Sequence, residues 1–296
     1  MNDIREKWFI LCSVPFYAIV IVAEMLLSNY QQRKYYSVWG VLQNIILTLM
    51  NMGIDGLMRY LFYVSVLLFT YKHHFFAIEN VYLYWFLLFI FEDFAFYIEH
   101  RVDHYCRLFW AVHLTHHSSE EFNLTTGFRS SVFQPVYRFI YFIPLTLFGF
   151  KPIDIILMYG ITQTYGIIVH TRYIQKLPKI FEAIFVTPAH HRVHHASNTI
   201  YLDKNMGMCL IIWDRLFGTF QDELAEEPVV YGLTTAVQDA KNPLNHVFYE
   251  WKKIVKDMKR NLPFTTKLKY LFMPPGWSHD GSSKTAVEMR RELGRR

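Results

Sequence analysis

Long apolar runs separated by short polar stretches dominate the first 170 residues of the chain. The run at 8–28 holds a single charge in 21 residues, and a second run covers 81–98. A helix of ~20 apolar residues, rising ~1.5 Å per residue, crosses a hydrocarbon layer of ~30 Å. Each of these two runs therefore predicts one membrane-spanning helix.

Two longer apolar runs, at 36–70 and 136–169, predict helix pairs. Glycines and charged residues at Gly53–Arg59 and Gly149–Asp154 mark the predicted turns within them. If each half of 36–70 crosses the membrane once, the chain makes four crossings before residue 100. The segment 57–71 is short for a crossing, so it could be re-entrant instead. Four crossings would place the N-terminus and the region after residue 100 on one face of the membrane.

Polar segments follow these runs and define the predicted organisation. Residues 100–131 are rich in histidine, and prolines in the polar region from 170 onward predict short helices there. We predict transmembrane helices over 1–99, a histidine-cluster catalytic region over 100–220 that includes a membrane hairpin at about 132–169, and a polar, basic tail over 221–296. The predicted fold is an all-α integral membrane bundle with a histidine-rich polar cap that carries a dinuclear metal site.

Composition supports a multi-pass membrane protein, because 52% of the residues are hydrophobic and only 19% are charged, against roughly 25% charged in soluble domains. The net charge of +5 comes largely from the C-terminal tail, which favours a cytosolic position for the polar cap beside anionic lipid. Nucleic-acid binding is disfavoured because no basic stripe alternates with aromatic residues. Three scattered cysteines suggest neither disulfides nor a thiolate metal site.

Nine of the 14 histidines fall into three dense clusters. The clusters are EHRVDH at 99–104, HLTHH at 113–117 and HHRVHH at 190–195. On a helix, spacings of three and four residues place side chains on one face. Each cluster therefore predicts imidazoles directed together towards one or two metal ions.

The number of histidines indicates more than one ion. A single zinc takes about four ligands and a mononuclear iron site about three, so eight or more histidines predict a dinuclear site. Imidazole binds iron, zinc, copper and nickel alike, so the ligands alone do not select the metal. A zinc protease is disfavoured because the motif H-E-x-x-H is absent; Arg101 follows His100.

The spacing HxxxH, HxxHH and HxxHH between spanning helices resembles the fatty acid hydroxylase and sterol desaturase superfamily of membrane di-iron oxygenases. Longer stretches resemble its alkylglycerol monooxygenase branch, namely HLTHHSSEEFNLTTGFRSSV (113–132), TPAHHRVHHASNTIYLDKNMGMCLIIWDRLFGTF (187–220), VVYGLT (229–234) and PPGW (274–277). The resemblance covers about residues 80–280. It implies cleavage of the ether bond of alkylglycerols to an aldehyde and a glycerol derivative, using O2, two Fe ions and a tetrahydropterin.

The resemblance also implies the site residues. The eight-histidine pattern of the superfamily matches His100, His104, His113, His116, His117, His191, His194 and His195. His170, in IIVHTRY, matches a further histidine and is the expected ninth metal ligand, whereas His190 is expected to support the ligands. Polar residues near the clusters are expected to hold the ligating histidines or to contact a lipid headgroup: Glu120, Glu121, Asn123, Arg129, Asp203, Asn205 and Asp214.

One departure leaves the electron donor open. The alkylglycerol branch commonly has Glu directly after the second histidine, where this chain has Tyr105. The alternative function is therefore a sterol, fatty acyl or carotenoid hydroxylase or desaturase with a redox-protein donor. A metal-binding transporter is the remote alternative, because a conduction path would place ionisable residues in the middle of the membrane and the spans hold few of them, such as Glu24 and Asp55.

Overall fold

The computed structural model describes residues 4–294 and confirms the predicted all-α architecture, since no β-strand occurs in that range. The outermost residues of the predicted terminal regions, 1–3 and 295–296, lie outside the described part of the chain. The helices are α1 Ile4–Tyr30, α2 Val38–Met58, α3 Val64–Tyr71, α4 Val81–Tyr105, α5 Arg107–His117, α6 Pro135–Leu147, α7 Pro152–Ile168, α8 Lys179–Ile184, α9 Pro188–His194, α10 Ile212–Phe217, α11 Pro243–Met258, α12 Phe264–Phe272 and α13 Ala286–Glu292.

Three helices are long and apolar enough to cross a membrane, which identifies a membrane protein. They are α1 with 27 residues, the helix Val38–Tyr71 with 34 and α4 with 25. Their outer surfaces carry exposed apolar side chains such as Ile19, Leu49 and Phe86. Side chains of this kind are stable facing lipid tails rather than water.

The predicted turn at Gly53–Arg59 is wrong. Helix α2 continues through both glycines of this stretch, and a π-helical turn at Arg59–Tyr63 joins it to α3, so Val38–Tyr71 is one continuous helix. Glycine lowers helix stability without ending a helix, and Asp55 pairs with Arg59 one turn later at 2.6 Å, inside the helix. The run therefore forms one helix rather than the predicted pair.

Helix α1 runs parallel to α7 and continues past its end. Three hydrogen bonds join the two chain segments in order: Arg5 with Asp154 at 2.8 Å, Tyr17 with Thr164 at 2.6 Å and Glu24 with Thr171 at 2.5 Å. The start of α1 therefore lies beside the start of α7, while His170 follows the end of α7. The start of α1 thus lies at the opposite end of α7 from His170, an arrangement that does not fit the predicted placement of the N-terminus and the histidine clusters on one face.

The apolar run at 136–169 forms the helix pair α6 and α7, and both helices are shorter than the three candidate spans. Gly149 makes the turn with a φ of +102°, and a Cβ there would lie 2.1 Å from the carbonyl oxygen of Phe76. The two helices pack on α3 and α4 through an apolar cluster that includes Leu67, Leu88 and Phe142. This packing fixes the end of α4, where the first histidines lie.

Short helices form the cap, as the prolines predict. Helix α5 begins at Arg107, whose guanidinium donates to Glu250 and to Asp257 of α11, each at 2.7 Å. Helix α9 has Pro188 in its first turn and Thr187 as its N-cap. Both helices meet the end of α4, where the ring of His100 lies 4.7 Å from that of His113 on α5 and 4.4 Å from that of His194 on α9. Each helix carries an H-x-x-H-H motif.

Candidate metal centre

Nine buried or half-buried histidines converge where α4, α5, α7 and α9 meet, and they are the nine residues that the sequence singles out as metal ligands. They form two groups, and within each group the candidate ligand atoms lie within 4.8 Å of one another. The first group is His100, His104, His113, His117 and His194; the second is His116, His170, His191 and His195.

Each H-x-x-H-H motif contributes to both groups, which differs from the expectation that one helix face presents all three nitrogens together. On α5, His113 and His117 are one turn apart and belong to the first group, whereas His116 belongs to the second. On α9 and its C-cap, His194 joins the first group while His191 and His195 join the second. The groups are adjacent, since the rings of His117 and His195 stack 4.5 Å apart.

Backbone carbonyl oxygens fix the orientation of four of these rings through Nδ1. His100 donates to Met206 at 2.7 Å, His116 to Arg129 at 3.0 Å, His170 to Gly166 at 2.7 Å and His194 to Lys204 at 2.9 Å. A carbonyl oxygen only accepts hydrogen bonds, so Nδ1 carries the proton and Nε2 keeps a free lone pair. The four rings therefore present Nε2 as a ligand atom, an arrangement found at metal sites.

The inward nitrogens lie at separations that suit a shared ion. Nε2 of His113 is 3.0 Å from Nε2 of His100 and 3.1 Å from Nε2 of His117. In the second group, Nε2 of His170 is 2.9 Å from that of His191 and 3.1 Å from that of His195. Nitrogens bound to one ion at ~2.1 Å and at right angles are roughly 3 Å apart.

Two further observations fit a metal. Nε2 of His104 and of His194 are buried and have no hydrogen-bond partner among the described residues, a costly state that a metal ion would relieve. Burial lowers the pKa of His194 well below its ordinary value and that of His116 to about 4. Both imidazoles are therefore neutral at pH 7, as metal binding requires.

The loop at 203–207 supplies two of the carbonyl acceptors. Asp203 and Asn205 adopt positive φ values of 54° and 55°, and this conformation turns the carbonyls of Lys204 and Met206 towards the histidines. The carboxylate of Asp214 accepts hydrogen bonds from the N–H groups of Met206 and Gly207, at 2.7 and 2.8 Å. Asp214 therefore anchors the loop whose backbone carbonyls orient His100 and His194.

A buried polar network beneath the first group was not predicted from the sequence. Gln134, the N-cap residue of α6, donates to Glu99 and Asp103 of α4 at 3.0 and 2.9 Å, and Tyr137 of α6 donates to Asp103 at 2.7 Å. Asp103 lies 3.5 Å from Nδ1 of His113. The sequence did hold a signal for this network, because Glu99 and Asp103 each directly precede a histidine of α4.

The other polar candidates have structural contacts. Asp203 faces Nδ1 of His104 at 3.2 Å, and Asn205 donates to the carbonyl of His190 at 3.0 Å. Arg129 donates to the carbonyl of Thr115 at 2.9 Å. The remaining candidates lie further out: Glu120 is exposed, Glu121 accepts from the N–H of Ser37, and Asn123 donates to the carbonyl of Tyr35.

Two residues near the clusters lie outside both groups. His190 accepts from the N–H of Thr187 at 3.3 Å, and its Nε2 faces Glu182 at 3.0 Å, so the ring points away from the centre. Tyr105 is the last residue of α4, where Arg101 lies over its ring at 5.5 Å. Neither residue contributes a candidate ligand atom to the centre.

Two cavities reach the centre from different sides. A cavity of about 450 Å³ lies among the spanning helices; it reaches His100, His116 and His170 and has Ile10 and Ile167 in its wall. We call it the membrane-side cavity. A cavity of about 610 Å³, the cap-side cavity, reaches the centre at His104, His117, His194 and His195.

Comparison with known proteins shows which proteins the chain resembles. The model of the fatty acid hydroxylase family matches residues 85–219. The chain is 37% identical to alkylglycerol monooxygenase of Homo sapiens over 212 residues, which are 71% of this chain and 45% of that protein. It is 34% identical to alkylglycerol monooxygenase of Caenorhabditis elegans over 211 residues, 65% of this chain and 39% of that protein.

A more distant relative is ornithine lipid hydroxylase of Rhizobium tropici, 29% identical over 150 residues, 50% of this chain and 45% of that protein. No solved structure matches the chain significantly. The chain spans under half the length of these curated relatives. The family match begins within α4 and ends after α10, and it includes all nine histidines of the two groups. Residues 85–219 of this chain are therefore similar to the fatty acid hydroxylase family.

Proposed function

We propose that this chain is a membrane-bound di-iron monooxygenase that uses O2 to oxidise a lipid, most specifically an alkylglycerol whose ether bond it cleaves. The observation that carries the proposal is the pair of all-histidine groups at the end of a spanning helix, inside the segment that matches the fatty acid hydroxylase family. The resemblance to alkylglycerol monooxygenases along 71% of the chain supports the substrate class.

Two ions are proposed because there are two groups, with five and four histidines respectively. Neither group includes a carboxylate among the described residues, so the protein brings no negative charge directly to the ions. Bound iron would supply the redox chemistry that reduces O2 and attacks an unactivated C–H bond. The donor set fits iron, for which imidazole is a suitable ligand.

The proposed reaction balances with one external two-electron donor. One oxygen atom of O2 is inserted into the C–H bond of the alkyl carbon beside the ether oxygen, and the other leaves as water. A tetrahydropterin supplies the two electrons and two protons and becomes a dihydropterin. The product is a hemiacetal, which transfers its hydroxyl proton to the ether oxygen as the C–O bond breaks. An aldehyde and a glycerol hydroxyl result.

The residues of the chain bind and position rather than act as nucleophiles. Carbonyl acceptors hold the rings of His100 and His194, and burial of the imidazoles keeps bulk water away from the reacting carbon. We assign the alkyl chain to the membrane-side cavity, whose wall holds Ile10, Met52 and Ile167 beside the ion-paired Asp55 and Arg59. Lateral entry suits a substrate that is dissolved in lipid.

We also propose a multi-pass topology with the cap on the cytosolic side. The three candidate spans support several crossings, and the basic C-terminal tail favours the cytosol for the face that carries it. Helix α1 would then begin on the opposite side of the membrane, because its first turns contact the start of α7 rather than the cap.

A second enzyme function is kept open by Tyr105. If the donor is a redox protein rather than a pterin, the same centre would hydroxylate or desaturate a sterol or acyl chain. The transporter alternative has less support, because Asp93, near the middle of α4, accepts three hydrogen bonds, from the backbone of Cys209 and Leu210 and from the indole of Trp213. That carboxylate anchors the loop after the centre.

The proposed function is tested by measuring aldehyde formation by purified, iron-loaded protein. An alkylglycerol, O2 and a tetrahydropterin are supplied together and then with each omitted in turn. Aldehyde that forms only with all three supports the reaction and shows that Tyr105 does not prevent pterin use. No aldehyde from protein that holds an iron in each histidine group would refute ether cleavage with this donor.

A further inference from the structure

The cap-side cavity is built partly outside the segment that matches the fatty acid hydroxylase family. Its inner wall contains four histidines of the centre, whereas its outer wall is formed by residues after 219. Two motifs that the proposed function leaves without a role meet in that outer wall. The motif VVYGLT contributes Gly232, Leu233 and Thr234, and PPGW contributes Pro275, Gly276 and Trp277.

The glycines of both motifs are required by the backbone. Gly276 has a φ of +85°, and a Cβ there would lie 2.2 Å from the carbonyl oxygen of Lys284. Gly232 has a φ of +97°, and a Cβ there would lie 3.2 Å from the side chain of Glu120. Both conformations favour glycine over other residues. The two motifs therefore fix the shape of the outer wall.

Charges in the wall are largely neutralised by one another. Arg107 contacts both Glu250 and Asp257 at 2.7 Å, and Lys253 lies 3.6 Å from Glu250. Arg260 lies 3.6 Å from Asp257. A polyanion would find few uncompensated cations in this wall. A neutral molecule with donors and acceptors on its edge suits such a wall.

Aromatic rings flank the same space. Trp110 lines the cavity beside the centre, with its ring 5.6 Å from that of His117. Trp277 lines the opposite part of the wall and packs edge-on against Tyr270 at 5.2 Å. Flat heterocyclic rings are stabilised against aromatic faces. The volume of about 610 Å³ lies within the ~300–1,000 Å³ typical of small-molecule sites.

We propose that the cap-side cavity binds the reductant, a planar and polar heterocycle of the tetrahydropterin class, while the lipid uses the membrane-side cavity. This inference rests on the proposed function. The two cavities share no histidine: the cap-side cavity is lined by His104, His117, His194 and His195, and the membrane-side cavity by His100, His113, His116, His170 and His191. Reductant and lipid therefore reach the centre from different sides and bind at the same time.

The first test is binding of tetrahydropterin to the full chain without metal, by anaerobic calorimetry in detergent. Thr234 is exposed at the cavity wall, so Thr234→Trp fills the cavity without disturbing a core. It should weaken binding at least about tenfold, since lost contacts change affinity exponentially. Ala236→Trp, two residues away and outside the cavity wall, is the matched control and should bind as the wild type does. Equal affinities for the two variants, or no binding by the wild type, would overturn the proposal.

Tryptophan fluorescence provides a second, independent test with a different variant. Bound pterin should quench tryptophan fluorescence, and Trp277→Phe, which keeps an aromatic ring against Tyr270, should reduce the quench. Trp39→Phe is the control, because Trp39 is exposed on α2 and does not line the cavity. An undiminished quench in Trp277→Phe together with unchanged affinity in Thr234→Trp would refute the assignment.

Steady-state kinetics of the iron-loaded protein separate the two cavities. Thr234→Trp should raise the KM for tetrahydropterin at least about tenfold and leave the KM for the alkylglycerol unchanged. A rise in the lipid KM alone would assign the cavity to the lipid and overturn the proposal. If pterin binds in the cavity but no lipid is oxidised, the proposed function fails and the cavity assignment stands.

Discussion

At the residue scale, the ring nitrogen that faces away from the centre determines what each histidine can do. In His100, His116, His170 and His194, Nδ1 donates to a backbone carbonyl, which leaves Nε2 as the ligand atom. The sequence identifies which histidines converge, because the spacing of three and four residues on a helix is regular. It does not identify the carbonyl acceptors, because any residue supplies a carbonyl.

The division of the histidines into two groups also could not be predicted from spacing. His116 and His117 are neighbours in the sequence, yet their rings are almost perpendicular and belong to different groups. The side chains of adjacent helical residues differ in direction by ~100°. Neighbouring histidines of one motif can therefore bind two different ions when the other ligands lie on the two sides of the helix. The partners here, His170 and His194, come from distant parts of the chain.

Replacing His194 with Ala tests ligation. The variant should lose iron from the first group and lose activity, because His194 is buried and its Nε2 has no other partner among the described residues. Iron content per chain and membrane retention are measured together. His73→Ala is the control, since His73 is an exposed residue after α3. Full iron retention by the His194 variant would contradict the assignment.

At the element scale, the loop at 203–207 positions two histidines at once. Its positive-φ residues and its anchoring by Asp214 are tertiary features. The sequence places Asp214 among the residues expected to support the ligands, and the structure shows that it acts through the loop backbone rather than on an imidazole. The N–H groups from which Asp214 accepts become apparent only in three dimensions.

Replacing Asp214 with Asn tests this indirect role. An amide has one acceptor oxygen where the carboxylate has two, so one of the N–H groups of Met206 and Gly207 loses its partner. Iron affinity, measured by competition with a chelator, should fall about 10- to 100-fold, as for other residues that orient metal ligands. Asp222→Asn, at an exposed site, should leave affinity unchanged. Equal affinities for the two variants would contradict the positioning role.

The continuous helix Val38–Tyr71 shows where turn prediction from glycine failed. No atom lies within 4 Å of the position that a Cβ would take at Gly53, so Gly53→Ala should stabilise the helix by about 0.5–1 kcal/mol. Gly149→Ala should destabilise the protein, because its Cβ would collide with Phe76 at a φ of +102°. Thermal unfolding in detergent measures both. A lower Tm for Gly53→Ala would favour a turn there.

At the scale of the whole molecule, the apolar runs predicted a helical membrane protein because only helices satisfy their own backbone groups within one segment in lipid. The number of crossings was less predictable. The apolar run at 36–70 could form two short helices or one long one, and packing rather than composition decides. The structure has one, which places the start of α1 at the end of the bundle away from the cap.

Epitope insertion tests that arrangement. A tag placed in the loop at 72–80, which joins α3 to α4 at the far end of the bundle, should be protected in sealed, cytosol-facing-out vesicles until detergent is added. A tag placed at 222–228 in the cap should be accessible without detergent. Protease protection of the two tags gives the result. Access to both tags from one side would contradict the topology.

The most direct measurement of the central claim is the iron content and iron environment of the purified protein. The chain is loaded with isotopically enriched iron without oxygen and examined by Mössbauer and X-ray absorption spectroscopy. The two histidine groups predict two irons per chain, one for each group, each bound mainly by nitrogen and both oxidised when O2 is admitted. A single iron per chain, or a pair that does not react with O2, would contradict the di-iron monooxygenase assignment.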